Sequence, residues 1–269
     1  MYIDPGQSGY LLFTTEALHQ KPDIEKLKKA EAQRIKKLKT SHHEFLNDLL
    51  VSGDQFLVKR KATNSHTLIA GYHWFTDWGR DSMIALRGLA IDSNKPRVVE
   101  SIVKTFLAYL DKGMLPNRFP DAPQDDVEYN TVDATLWLFV VLYEYYQKFG
   151  NKTFIKKCFD ALGQIIDAYK NGTRYQIHET PEGFIFAGEG IAQLTWMDAR
   201  VGDYVVTPRH VCPVEIQALW YNALKIYQFF AEELKLDNKS LENTADSLIK
   251  FEKHFIKEFW NEKGYLNDV

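Results

Sequence analysis

Apolar residues fall at helical spacing through most of the chain after about residue 79. In 213–234, Ile216, Leu219, Trp220, Ala223, Leu224, Tyr227 and Phe230 recur every three or four positions, marking one wide helix face. Residues 131–149 carry Val132, Leu136, Trp137, Phe139, Val140, Leu142, Tyr143 and Tyr146, which leaves little polar face. Each of these helices is followed by a more amphipathic one. Phe154, Cys158, Leu162, Ile165 and Tyr169 share a face of 152–170, as Leu248, Ile249, Phe255, Ile256 and Phe259 do in 240–260. Further helices are predicted over 79–91 and 96–112. Buried helices alternating with half-exposed ones predict two concentric layers, an all-α fold of the α/α-toroid type. Its active site would lie at one end of the inner ring. The competing helical solenoid calls for a sequence repeat of roughly 20–50 residues, and none is found.

The N-terminal part reads differently. Residues 1–22 are expected to be a linker or the remnant of a preceding β domain, with Gly9–Thr15 as a single strand; the helical domain takes 23–269. A long helix is expected from Pro22 to Val51. Its basic run, Lys26–Lys39, is interleaved with Glu25, Glu31, Ile24, Leu27, Ile35 and Leu38, the pattern of a solvated amphipathic helix. Extended segments are predicted at 55–60 and 67–70, and a hairpin over 174–188 turning at Pro181-Glu182-Gly183.

Composition narrows the function classes. The 269 residues are 45% hydrophobic and 26% charged, as in ordinary globular proteins. A net charge of −3, with no basic stripe, argues against nucleic acid as a partner. No apolar run reaches the roughly 18 residues that span a bilayer, and no signal peptide is visible, so no membrane partner and a cytoplasmic location are expected. Cys158 and Cys212 make no disulfide framework and have no neighbours at metal-ligand spacing, which fits a reducing compartment. Gly-rich phosphate loops and a G-x-S-x-G elbow are absent, and no metal or cofactor is expected. Aromatic residues make up 14% of the chain. Most fill the core, but Trp beside Asp and Arg in loops also suits sugar rings, which offer C–H faces to stack and hydroxyls to bind.

Three segments concentrate that chemistry. In 70–82, Arg80 and Asp81 follow Trp74 and Trp78 where a helix begins. Asp81 there is favoured by the helix dipole, or else pairs with the Arg80 fork to hold adjacent sugar hydroxyls. In 129–137, Thr131 is placed to cap a helix with Asp133 in its first turn. The alternative sets Asp133 and Trp137, four apart, on one ligand-facing side. In 195–216, Asp198 follows Trp196 between apolar Met197 and Ala199, surroundings that can raise a carboxyl toward the range of a general acid. Glu215, two residues after Pro213, is either a dipole partner or a pocket residue.

Taken together, AGYHWFTDWGRDSMIALRGL (70–89), NTVDATLWLFVVLYEY (130–145) and TWMDARVGDYVVTPRHVCPVEIQALWYNAL (195–224) resemble the glucosidase domain of glycogen-debranching enzymes of the prokaryotic and archaeal type. DQFLV at 54–58 is similar too, and the resemblance runs from about Gln55 to the C-terminus. It implies an incomplete (α/α)6 toroid, glucoamylase-like, acting on α-glucan such as glycogen or a limit dextrin. The implied reaction is hydrolysis of α-1,6-linked glucose with inversion and without metal. Asp198 would be the general acid, Arg80 and Asp81 would hold the glucose, and Trp78, Asp133, Trp137, Trp196 and Glu215 would line the pocket. Arg87 and Val211-Cys212 depart from the family pattern, which has a Pro and a Gly-Lys there. An inverting enzyme needs a second carboxylate roughly 6.5–9.5 Å from the acid. In the family that base lies downstream of a segment like Gly264–Val269, so it is expected to be missing from this chain, with self-association through uncovered helix faces as a consequence. Other readings stay open: a glucan-binding module without catalysis, an inactive fragment, or a related α-glucosidase or invertase-like hydrolase.

Overall fold

The computed structural model describes residues 4–14, 17–18, 20–60, 63–120, 126–188, 192–236 and 239–269. It divides into two units, Met1–Gln55 and Phe56–Val269. The first holds helices α1 (Ile24–Leu38) and α2 (Glu44–Asp54). Asp23 caps α1 by accepting from the Lys26 amide at 3.0 Å, and no α1 residue is buried, as its charge pattern requires. The single long helix expected over 22–51 is therefore two. Its break at Ser41 follows from side-chain competition: Asn47 accepts from the Ser41 amide at 2.9 Å and donates to its carbonyl at 3.0 Å. Residues 9–14 form no strand, and Thr15 lies outside the described residues.

The second unit opens with the hairpin β1 (Leu57–Arg60) and β2 (Ser65–Leu68). Then come six helices in three pairs: α3 (Gly79–Leu86) with α4 (Pro96–Ala108), α5 (Asp133–Phe149) with α6 (Lys152–Asn171), and α7 (Val214–Leu234) with α8 (Lys239–Phe259). Helices α3, α5 and α7 pack side by side, while α4 and α6 cover α5, and α6 and α8 cover α7. This is the two-layer arrangement of an α/α toroid, with three of the six pairs of an (α/α)6 ring among the described residues.

Local sequence explains the tight connections. Gly150, in the left-handed region at φ 62°, ends α5, and Asn151 at once caps α6 by accepting from the Phe154 amide at 3.1 Å. The layers are held by aromatic contacts: Phe159 of α6 stacks on Tyr227 of α7 at 4.6 Å, and Tyr169 on Trp220 at 6.1 Å. Cys158 is buried, and burial pushes its thiol up to about 12. One expectation for α8 fails. Ile249 and Ile256 are 66% and 63% exposed, and the buried side runs through Ser247, Leu248, Phe251 and Phe259. No helix is long and apolar enough to cross a membrane among the described residues.

Candidate active site

The site lies where α3 and α5 begin. Gly79 donates its amide to the Asn117 carbonyl at 2.8 Å, and a Cβ at that position would meet the Pro116 carbonyl oxygen at 2.2 Å. Only glycine allows this approach, which sets the direction of the next residue, Arg80. Arg80 donates through Nε to Oδ2 of Asp133 at 2.6 Å, and Oδ1 of Asp133 accepts from the Thr131 hydroxyl at 2.8 Å. Asp133 is 2% exposed and both its oxygens are engaged, so it sits beneath Arg80 and not on the pocket surface. Nη1 and Nη2 of Arg80 have no protein partner among the described residues.

Tyr169 strengthens this base: its hydroxyl donates to the Val132 carbonyl at 2.9 Å, just before Asp133. The Val132 amide donates to the Leu194 carbonyl at 2.9 Å, tying the loop that carries Trp196 and Asp198 to the start of α5. Burial raises the Asp81 carboxyl above its ordinary value although the residue keeps an exposed surface; Arg80 opposes the shift, and Asp133 and Asp198 add to it. The chain thus brings Arg80, Asp133 and Asp198 within electrostatic reach of Asp81.

The other expected residues divide. Trp196 is 57% exposed beside Asp198, available for stacking. Trp78 is half-buried, with the Arg118 guanidinium 5.9 Å from its ring centre. Trp137 is half-buried, and the Arg87 guanidinium, paired with Glu144, lies 5.7 Å from its ring. Asp198 lacks the apolar enclosure expected of it, since it and Ala199 are exposed and Met197 is half-buried. Glu215 is bound by Arg209, whose Nη2 reaches Oε2 at 2.6 Å.

A family model described as amylo-alpha-1,6-glucosidase matches residues 51–269. The chain belongs to the amylo-alpha-1,6-glucosidase family. Among solved structures, a GH78 family rhamnosidase of Bacillus sp. GL1 is similar with a TM-score of 0.52 and 14% identity, over 71% of this chain and 20% of the rhamnosidase chain. At that identity the likeness concerns the fold, a helical glycosidase framework.

The family's departures have visible consequences. Val211, where the resemblance implies glycine, has a glycine-type backbone at φ 72°, and its carbonyl accepts from the Ala187 amide at 2.7 Å. A β-branched residue there is strained. Arg87, where the resemblance implies proline, opens a π-helical turn, Arg87–Asp92, that continues α3. Two further residues escaped the sequence reading. Arg209, 3% exposed, joins Glu215 to Asp268, which accepts from Arg209 Nε at 2.9 Å. Asp77, 2% exposed, takes Arg60 and the Thr67 hydroxyl (2.8 Å), and so fixes the loop before Trp78 to β1 and β2. Asp77 stands within the 70–82 motif, but its partners lie 17 and 10 residues away, with no local signal. Among the described residues no three His, Cys, Asp or Glu gather as metal ligands.

Proposed function

We propose that this domain serves glycogen debranching: it binds the single α-1,6-linked glucose of a trimmed branch, and Asp198 donates a proton to the departing oxygen. The observation that carries the reading is the Arg80 fork, held by buried Asp133, together with Asp81, whose carboxyl feels both Arg80 and Asp198. Arg80 donates to hydroxyls of the terminal glucose while Asp81 accepts from them, a pairing suited to adjacent hydroxyls. Exposure suits Asp198 to reach a bound glycosidic oxygen, and the substrate itself would complete the enclosure a general acid needs.

The reaction inverts the anomeric centre, so a second carboxylate activates water on the opposite face. Glu215, the candidate base within the chain, accepts from two nitrogens of Arg209 and is poorly suited to take a proton. In this reading the base comes from another segment, and the chain binds substrate without releasing glucose at an appreciable rate.

Linkage is tested by titrating the chain with a short dextrin bearing one α-1,6 glucose and with a linear maltooligosaccharide of equal length. The branched ligand is expected to bind about tenfold tighter, a difference of about 1.4 kcal/mol. Equal affinity contradicts the debranching reading and leaves a glucan site without branch preference. Glucose release that is fast in the wild type and lost in Glu215→Gln would place the base at Glu215.

A further inference from the structure

An open groove of about 800 Å³ lies between residues 126–130, Arg174, Tyr175 and Arg200. None of the residues assigned above to glucose or acid lines it. Its wall is nonetheless laced to the site. The Trp78 segment bridges to Arg118, and Arg118 to Glu128, in a short antiparallel ladder. The Asn117 amide donates to the Glu128 carbonyl at 2.7 Å, next to the bond that holds Gly79. On the other side Arg200 follows Asp198 by two residues. The groove therefore adjoins both the sugar-holding and the proton-donating segments.

Its chemistry selects the ligand. Arg118 pairs with Glu128 at 2.6 Å and Arg174 with Asp111, which leaves Asp126 and Arg200, one of each sign. With its charges cancelled, the groove has no concentrated cation for a phosphate or carboxylate. What remains suits a neutral polyhydroxyl chain: Asp126 as acceptor, Arg200 as donor, and the Nδ2 of Asn130, whose Oδ1 already accepts from Asn117 at 3.1 Å. Behind this wall, Oδ1 of Asn117 and Nε of Arg118 are buried without hydrogen-bond partners among the described residues.

Tyr175 adds a stacking face. It is 39% exposed and held at φ 57°, followed by Gln176 at φ 56°. Two successive non-glycine residues in the left-handed region carry strain that the neighbours must impose. Here Thr173 and Arg174 donate to the Lys112 and Asp111 carbonyls at 2.6 and 3.0 Å, and buried Ile177 anchors the far side. The backbone is strained while the ring stays open to the groove.

We infer that this groove binds the glucan chain beyond the terminal glucose, with Tyr175 stacking on a sugar ring and Arg200 and Asn130 meeting its hydroxyls. The inference rests on the α-glucan reading of the Arg80 site and adds a second, separable region to it. The test is calorimetric titration of the chain with maltose and maltohexaose. Tyr175→Asn removes the ring but suits the left-handed backbone, and Arg200→Gln alters only an exposed residue. Each is expected to weaken maltohexaose about tenfold and leave maltose unchanged, whereas Arg80→Ala weakens both. Unchanged maltohexaose affinity in both variants, or an equal loss for both sugars, overturns the groove assignment while the Arg80 dependence keeps the glucan reading. If neither sugar binds the wild type, both fall. Displacement of maltohexaose by millimolar inorganic phosphate, reversed in Arg200→Gln, would mark an anion site and overturn the assignment.

Discussion

At the scale of single residues, the carboxylates of the site differ in their surroundings. Asp133 is spent on protein partners, and removing it leaves the Arg80 charge unpaired in a largely buried place. Asp133→Ala should destabilise the fold by about 3 kcal/mol, read from chemical denaturation, and should also weaken sugar binding. Asp81 behaves oppositely. Its carboxyl is raised above the ordinary value chiefly by burial, so the ionised form costs stability as pH rises through the folded-state value. Asp81→Asn should then raise the melting temperature at pH 7, with the gain vanishing below about pH 3, where both forms of the wild type are protonated. A variant that loses ligand binding yet gains stability would show that the site, not the fold, requires this charge. Val211 offers a third case. Relief of about 1–3 kcal/mol of left-handed strain, less about 1 kcal/mol for glycine's entropy, predicts that Val211→Gly stabilises by about 1 kcal/mol.

Residue chemistry was readable in the sequence where it was local. Arg80 and Asp81 are adjacent in sequence and share one motif, and Asp198 stands beside Trp196. Arg209 was hidden because one of its partners, Asp268, is 59 residues away and only the fold joins them. For Asp133 the helical position is local and legible, whereas its partner Arg80 comes from α3, 53 positions earlier, and only the fold joins them.

At the scale of elements, the helices of the second unit were legible because burial imposes their spacing. Every helix predicted from 96 onward appears, with ends within a few residues where caps such as Asn151 act. What is not legible was governed by short polar contacts. Ser41 and Asn47 split the first long helix, and the small hairpin Arg200–Val201 with Tyr204–Val205, turning at Gly202, has no apolar pattern to announce it. One contact between elements has a measurable role. Tyr169 is fully buried, and its hydroxyl joins α6 to the carbonyl just before α5. Tyr169→Phe should cost about 1 kcal/mol by removing that hydrogen bond, since the Val132 carbonyl keeps its bond within α5. It should also lower sugar affinity, because Asp133 follows immediately; unchanged affinity would separate the helix contact from the site.

At the scale of the molecule, a two-layer helical scaffold gathers its polar chemistry at one end. The starts of α3 and α5, and the loop through Asp198, are tied there by backbone bonds from Gly79 to Asn117, from Asn117 to Glu128, and from Val132 to Leu194. The layers followed from alternating hydrophobic patterns, whereas the meeting of the three segments depended on connections that no local pattern reveals. The division of labour at this end gives the most direct test: calorimetric titration with a dextrin carrying one α-1,6 glucose, comparing the wild type, Arg80→Ala and Asp198→Asn. If Arg80 holds the sugar and Asp198 acts on the bond, binding is lost in Arg80→Ala and retained within about threefold, about 0.7 kcal/mol, in Asp198→Asn. Binding that survives in Arg80→Ala, or that disappears in Asp198→Asn, would contradict that division.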